Sequence, residues 1–270
     1  MTQLPRVGLF AIGLDTYWPQ FAGLRERLDS YRASISSRLS ACGAEIVDAG
    51  MVDTVERARR AADLLKREDV EVIFLYVSTY ALSSTVLPVV QKAGVPTIVL
   101  NLQPVRRLDY DAFNAMGDRG TMTGEWLAHC QACAAPEIAC VFNRAGIPYH
   151  LVTGTLDDED AWSEIADWVA AAGVRAAMRE NRVGVLGHYY CGMLDVYSDM
   201  TQQAAVFGCH FDLLEMCELH RLREEVTTAD VAAKLDQFQR EFEVVPECSQ
   251  QELERAARTS CALDRLVAAH

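Results

Sequence analysis

Polar and aromatic residues gather at four places whose chemistry suits a small hydroxylated ligand. The first is Leu14-Asp-Thr-Tyr-Trp-Pro-Gln20, where Asp15, Tyr17, Trp18 and Gln20 set aromatic faces beside a carboxylate and an amide. A sugar offers apolar C–H faces and hydroxyls that need directional partners, and such a loop meets both needs. A solvated loop with an aromatic anchor accounts for the same residues equally well. The second is Ser78-Thr-Tyr-Ala-Leu-Ser-Ser-Thr85, a hydroxyl run around Tyr80 that reads first as a helix cap and only incidentally as a ligand contact. The third is Gly187-His-Tyr-Tyr-Cys-Gly-Met193, continuing through Asp195 to Asp199 and containing His188 and Tyr190. Asp195 and Asp199 share a face only if that stretch is helical. A metal pair with His188 is conceivable there, though three such residues within twelve arise often by chance. The fourth is His129, on a helix expected over 121–131, where a satisfied histidine is the commoner outcome. Gly-x-Gly-x-x-Gly, the phosphate loop, the nucleophile elbow and His-Glu-x-x-His are all absent from the sequence.

Nine cysteines are scattered along the chain. Cys140 in IACVF and Cys217 in LLEMCEL lie in apolar contexts and read as small buried packing groups. Cys130-Gln-Ala-Cys133 forms a CxxC, yet no second pair stands at zinc-site spacing. Placed at the end of the 121–131 helix rather than after a strand, it too is expected to pack as thiols.

These residues need a scaffold, and the hydrophobic pattern supplies one. Continuous apolar strands are expected over 6–13, 44–50, 71–78, 97–103 and 149–154. Helical spacing is seen over 21–42, 54–68, 83–93 and 157–178, with a less regular stretch over 104–120. Continuous apolar strands separated by helices predict a parallel sheet covered on both faces, the α/β class. A second βα system opens with strands over 182–188 and 211–218. The remainder, 221–270, is helical in pattern with a break at Pro246. The domain boundary falls within 175–182, giving domains 1–178 and 179–270. In such sheets ligands bind at the carboxyl ends of strands, where strand order reverses. The loops there, 14–19, 78–84, 103–108 and 188–193, carry the Tyr, Gln, His and hydroxyl residues.

The chain has 270 residues, 50% of them hydrophobic and 23% charged, which excludes intrinsic disorder. Lys and Arg number 25 against 38 Asp and Glu, a net charge of −13. That balance repels phosphate backbones and anionic lipid heads, so neither nucleic acid nor a membrane is an expected partner. The opening MTQLPRVGLFAIG has no basic region before an apolar stretch, and no run of 18 apolar residues occurs, so the expected location is cytoplasmic. By themselves the residues describe an α/β protein for a small polar ligand and name no reaction.

Tyr17-Trp-Pro-Gln20 with Leu24, Val47-Asp-Ala-Gly50 and Thr79-Tyr-Ala-Leu-Ser-Ser-Thr-Val-Leu-Pro88 resemble the N-terminal half of the arabinose/fucose isomerase superfamily, nearest its arabinose isomerase-like branch. Val99-Leu-Asn-Leu-Gln-Pro104, Val152-Thr-Gly154 and Gly187-His-Tyr-Tyr-Cys-Gly-Met-Leu-Asp195 continue the resemblance in the same order, so it covers about 6–268. It implies two Rossmann-like or flavodoxin-like parallel-sheet domains in tandem, with the family's C-terminal β domain absent from this chain. It also implies a homo-oligomer, trimer or hexamer. The implied activity is aldose–ketose isomerisation of a small neutral sugar such as L-arabinose or L-fucose. In the family a divalent metal, usually Mn2+, grips adjacent sugar oxygens and eases formation of an enediol while an acid/base pair moves the proton. The metal ligands of the family follow the region that matches 1–270. This chain alone is therefore expected to be inactive and to bind no Mn2+ tightly. Met193 aligns with a substrate-side methionine, and the 14–18 loop and Tyr80 align with positions lining a neighbouring subunit's pocket. His129 lies near a family histidine whose flanks differ. The expected substrate-binding set is Asp15, Tyr17, Trp18, Gln20, Tyr80, His129, His188, Tyr190, Met193 and Asp195. The other reading is a non-catalytic sugar-binding or regulatory module of the same fold.

Overall fold

In the computed structural model, residues 4–270 are described; residues 1–3, part of the opening stretch read for a leader, lie outside the described residues. From Arg6 the chain runs β1 (Arg6–Ile12), α1 (Leu24–Ala41), β2 (Glu45–Val52), α2 (Val55–Arg67), β3 (Val72–Tyr76) and α3 (Ser83–Ala93). It continues through β4 (Thr97–Gln103), α4 (Tyr110–Ala115), α5 (Arg119–Ala128), α6 (Gln131–Ala145), β5 (Tyr149–Thr155) and α7 (Glu159–Glu180). The remaining elements are β6 (Arg182–Leu186), α8 (Met200–Phe207), β7 (His210–Leu214), α9 (Met216–Glu224), α10 (Thr228–Glu241) and α11 (Gln250–Ala269). Two compact units divide the chain, Met1–Ala177 and Met178–His270.

The first unit holds a five-stranded parallel sheet in the order β2-β1-β3-β4-β5, the flavodoxin-like arrangement. Its central strands are apolar at successive positions because each face meets a separate core. Along β1, Val7, Leu9 and Ala11 enter one core while Phe10 and Ile12 enter the other. Phe74 and Tyr76 on β3 repeat the first set, and Ile73 and Leu75 the second. Helices α1, α5 and α7 cover the first face through residues such as Leu28, Ile35, Leu127 and Ile165. Helices α2, α3 and α6 cover the second through Leu65, Val89 and Phe142. The α/β class read from continuous apolar strands is thus the observed one.

The register of β2 against β1 slips between Leu9 and Ala11, which pair with Asp48 and Met51. The extra residue in β2 is accommodated by Gly50 at φ 76°, a conformation that a Cβ would strain. Asp48 Oδ1 accepts from Gly50 N at 2.8 Å and fastens the bulge. Thr54 caps α2 by accepting from Arg57 N at 3.2 Å, and the left-handed Gly94 ends α3.

In the second unit β6 and β7 form a two-stranded parallel sheet. Its core gathers Leu219, Leu222, Val231, Ala257 and Leu266 from α9, α10 and α11, with Leu186 and Leu214 packed against it. Capping boxes at Thr227/Asp230 and Ser249/Glu252 open α10 and α11.

Three local expectations differ from the structure. The helix expected over 121–131 stops at Ala128, and a separate helix, α6, begins at Gln131. The strand expected over 211–218 ends at Leu214, because Leu219 and Leu222 bury one face of a helix that already starts at Met216. The irregular stretch 104–120 contains α4, capped by Asp109 onto Ala112 N at 2.9 Å. Among the described residues no helix is long and apolar enough to cross a membrane.

Phe74 lies fully buried on the central strand of the sheet. Phe74→Ala is expected to lower unfolding free energy by about 3–5 kcal/mol, read from urea unfolding followed by circular dichroism.

Candidate functional site

Helices α1 and α3, into which β1 and β3 lead, lie on opposite faces of the sheet, so the loops leaving those two strands diverge and open a crevice at the carboxyl edge. The loop after β1 begins at Gly13, whose N–H donates to Val52 O at 3.1 Å. A Cβ at Gly13 would meet the Trp18 ring at 2.8 Å and Met51 Sδ at 3.0 Å. Only glycine lets that indole fold back against the strand end. Asp15–Tyr17 form a single 3-10 turn that delivers Trp18 to this position.

Trp18 Nε1 donates to Asp53 Oδ2 at 2.8 Å. The same oxygen accepts from Arg25 Nη1 at 3.1 Å and Arg57 Nη1 at 2.9 Å. The Asp53 side chain is 1% exposed, and its Oδ1 has no hydrogen-bond partner. Arg25 also stacks over the Trp18 ring, 5.5 Å from its centroid. Asp53 Oδ1 is shielded from solvent and stands as a buried acceptor without a partner. Asp53 directly follows β2 and was not singled out from the sequence, because only the fold brings residues 18, 25 and 57 around it.

Tyr17 meets Trp18 and Phe21 edge to face, at centroid distances of 6.4 Å and 6.1 Å. Burial, and then the nearby Tyr80 phenol, raise the Tyr17 hydroxyl above its ordinary pKa, so it stays a protonated donor. The tyrosines of the loops after β1 and β3 thus lie close enough to interact electrostatically. Beside them lies a cleft of about 450 Å³, lined by Gln20, Phe21, Arg27, Asp118, Thr121 and Glu125 among others. Arg27 pairs with Glu125 at 2.6 Å and donates through Nε to Tyr31 Oη, also at 2.6 Å. The Arg27 hydrogen bond holds the Glu125 carboxyl below the usual range, against the opposing effect of burial. His129 caps the end of α5, with Nδ1 2.9 Å from Glu125 O and 3.4 Å from its carboxylate. It is a satisfied histidine at the rim. Asp15 is exposed at the turn, and Gln20 donates back to Thr16 O.

The hydroxyl run after β3 does not cap α3 as its composition suggested. Ser78 Oγ donates to Ile12 O, and Thr79 Oγ1 donates to Leu127 O at 2.7 Å, tying β3 to β1 and α5. The start of α3 is met instead by Glu137 of α6, which accepts from Ser83 N at 3.2 Å and Ser83 Oγ at 2.6 Å. Fully buried Gln131 donates to Ser78 O and Ala128 O, both at 2.9 Å. The hydrogen-bonding network sets the Gln103 amide nitrogen 2.8 Å from Gln131 Oε1 and its oxygen 3.1 Å from Ala132 N.

The cysteine expectations also need correction. Cys130 and Cys133 form a disulfide rather than packing as thiols, and they open α6 rather than ending a helix. Cys140 and Cys217 are exposed, whereas Cys209 and Cys261 are buried. Apolar neighbours in sequence do not bury a helical residue that faces outward.

In the second unit, His188, Tyr190, Met193 and Asp195 lie on the exposed loop that follows β6. Tyr190 is 74% exposed. Tyr189 and Tyr197 meet edge to face at 5.2 Å and pin the loop to itself. Asp195 belongs to a 3-10 turn, while Asp199 caps α8 by accepting from Gln202 N at 3.0 Å, so the two do not share a helical face.

Among the described residues, no three His, Cys, Asp or Glu side chains are grouped to hold a metal ion. Asp53 and Glu125, the buried and half-buried carboxylates of the edge, already face guanidinium groups. That donor set does not fit Mn2+, a hard cation that takes several free oxygen ligands. No family model matches the chain, and no curated protein matches it significantly.

Gly13→Ala is expected to displace the Trp18 ring and cost about 1–3 kcal/mol, visible as a lowered thermal midpoint and altered near-UV circular dichroism. Asp53→Ala leaves two guanidinium groups and an indole N–H without their acceptor, and a loss of about 2–4 kcal/mol should appear in urea titration. Because Glu125 is depressed in the folded state, its contribution is complete above the ordinary carboxylate range and fades as pH falls through the folded value. Thermal midpoints measured from neutral to acidic pH should therefore fall less steeply for Glu125→Gln than for the parent.

Proposed function

We propose that the carboxyl edge of the first sheet binds a small neutral sugar. The chain would then supply the sugar-facing α/β half of an aldose–ketose isomerase, assembled as a homo-oligomer. The observation that carries this reading is the Trp18 loop, locked onto the buried Asp53 carboxylate beside Tyr17 and Tyr80. Aromatic faces take the C–H side of the ring, while the protonated Tyr17 hydroxyl matches a sugar hydroxyl. In this role the chain's own residues bind and orient the sugar. The acidic balance fits a cytoplasmic protein.

A second reading, a non-catalytic sugar-binding or regulatory module, is favoured by one observation: the inward carboxylates are committed to arginines. Isothermal titration with L-arabinose and L-fucose, with and without Mn2+, tests both. Saturable binding that Trp18→Ala weakens by about 0.5–1.5 kcal/mol, up to roughly tenfold in Kd, is expected. Equal binding by parent and Trp18→Ala would remove the edge from consideration. Metal-independent binding without ketose formation fits a module, and steady ketose formation by this chain alone would contradict the division of labour. Sedimentation velocity checks the expected trimer or hexamer.

A further inference from the structure

Cys130 is the N-cap residue of α6 and Cys133 stands in its first turn, and the two sulfurs are joined with their Cα atoms 5.4 Å apart. We infer that this pair is a reversible thiol–disulfide exchange site, open to soluble thiols at Cys133 and built into the carboxyl edge of the first sheet.

Accessibility separates the two sulfur-bearing residues. Cys130 is only 2% exposed, whereas Cys133 is exposed on the helix surface. An incoming thiolate therefore meets Cys133 Sγ, where it forms a mixed disulfide. The Cys130–Cys133 bond breaks, and Cys130 Sγ leaves with the electron pair as a thiolate. At the N-cap position that thiolate forms beside the positive end of α6, and a nearby helix N-terminus lowers thiol pKa and favours the leaving group. A second thiol of the same dithiol reagent then attacks its own sulfur in the mixed disulfide and releases Cys133 as a thiolate. The reagent ends as its cyclic disulfide, and the protein carries two thiols after proton uptake. The reverse sequence, with the oxidised reagent as acceptor, restores the bond.

Structural stapling is a weaker account of the bond. It closes a very short loop, of sequence separation 3, between residues that a helical turn already holds close, so it removes little freedom from the unfolded chain. The residue between the sulfurs on the N-terminal side, Gln131, is fully buried and hydrogen-bonded to the end of β3, while Gln103 at the end of β4 reaches Gln131 and Ala132. The redox pair therefore sits on the segment that ties two strand ends of the candidate site. The inference does not depend on the sugar reading, since thiol chemistry is measured without any ligand.

The test uses the full chain purified without reductant. Samples are equilibrated in glutathione and dithiothreitol buffers of graded ratio, quenched with acid and alkylated. Mass spectrometry then reads the tryptic peptide 120–144, which contains Cys130, Cys133 and Cys140. The expected result is one alkylated cysteine, Cys140, in the oxidised protein and three in the reduced one, with full return on reoxidation under native conditions. Cys130→Ser should trap a glutathione adduct on Cys133, and Cys133→Ser should trap none on Cys130. Three alkylated cysteines in protein never exposed to reductant, or a bond that yields only in denaturant, would overturn the inference. Equal adducts on the two variants would overturn the assignment of Cys133 as the point of attack. The wild-type peptide carries the test even if a variant fails to fold.

Discussion

Burial of β1, β3 and β4 on both faces is the constraint from which the first unit follows. A strand whose side chains alternate between two cores must be apolar at nearly every position, and it needs a helix layer on each side. Val7, Leu9 and Ala11 against Phe10 and Ile12 show the division within one strand. The layers of α1, α5 and α7 on one face and α2, α3 and α6 on the other answer it. With α1 and α3 on opposite faces, the loops after β1 and β3 must part, and the crevice at the carboxyl edge results from that topology.

Such a sheet leaves a problem at its end, where backbone groups lose their strand partners while still buried. Ser78, Thr79 and Gln131 supply those partners from side chains. Hydroxyls that resemble a ligand-binding run in sequence are thus largely committed to backbone carbonyls. What stays open is narrower: the Tyr17 hydroxyl and the cleft beside Arg27 and Glu125. The indole of Trp18 belongs to both sets, since its ring packs on Gly13 and its N–H holds Asp53.

Elements set by local pattern were legible before the fold was known. The strand runs around β1, β3 and β4 and the helix α3, with its Gly94 stop, lie where period and punctuation put them. The interval 121–145 was not legible, because Ala, Cys and Gln continue a helical pattern while the chain breaks at His129 to let Gln131 reach β3. That break moves the CxxC from the end of one helix to the start of another and changes its chemistry. The aromatic loop 14–20 was readable as a site, yet Asp53, its main polar partner, looked like an ordinary residue ahead of α2.

By itself, then, the sequence determined the α/β class, the alternation of cores and the set of loops that carry polar chemistry, because hydrophobic period and turn residues act within a few positions. Tertiary structure alone decided that residues 18, 25, 53 and 57 share one carboxylate. It also decided that Glu125 faces Arg27 and that Cys130 and Cys133 are bonded at a helix start. Those outcomes depend on which side chains meet across the sheet edge, and that is set by packing over long separations rather than by any local spacing.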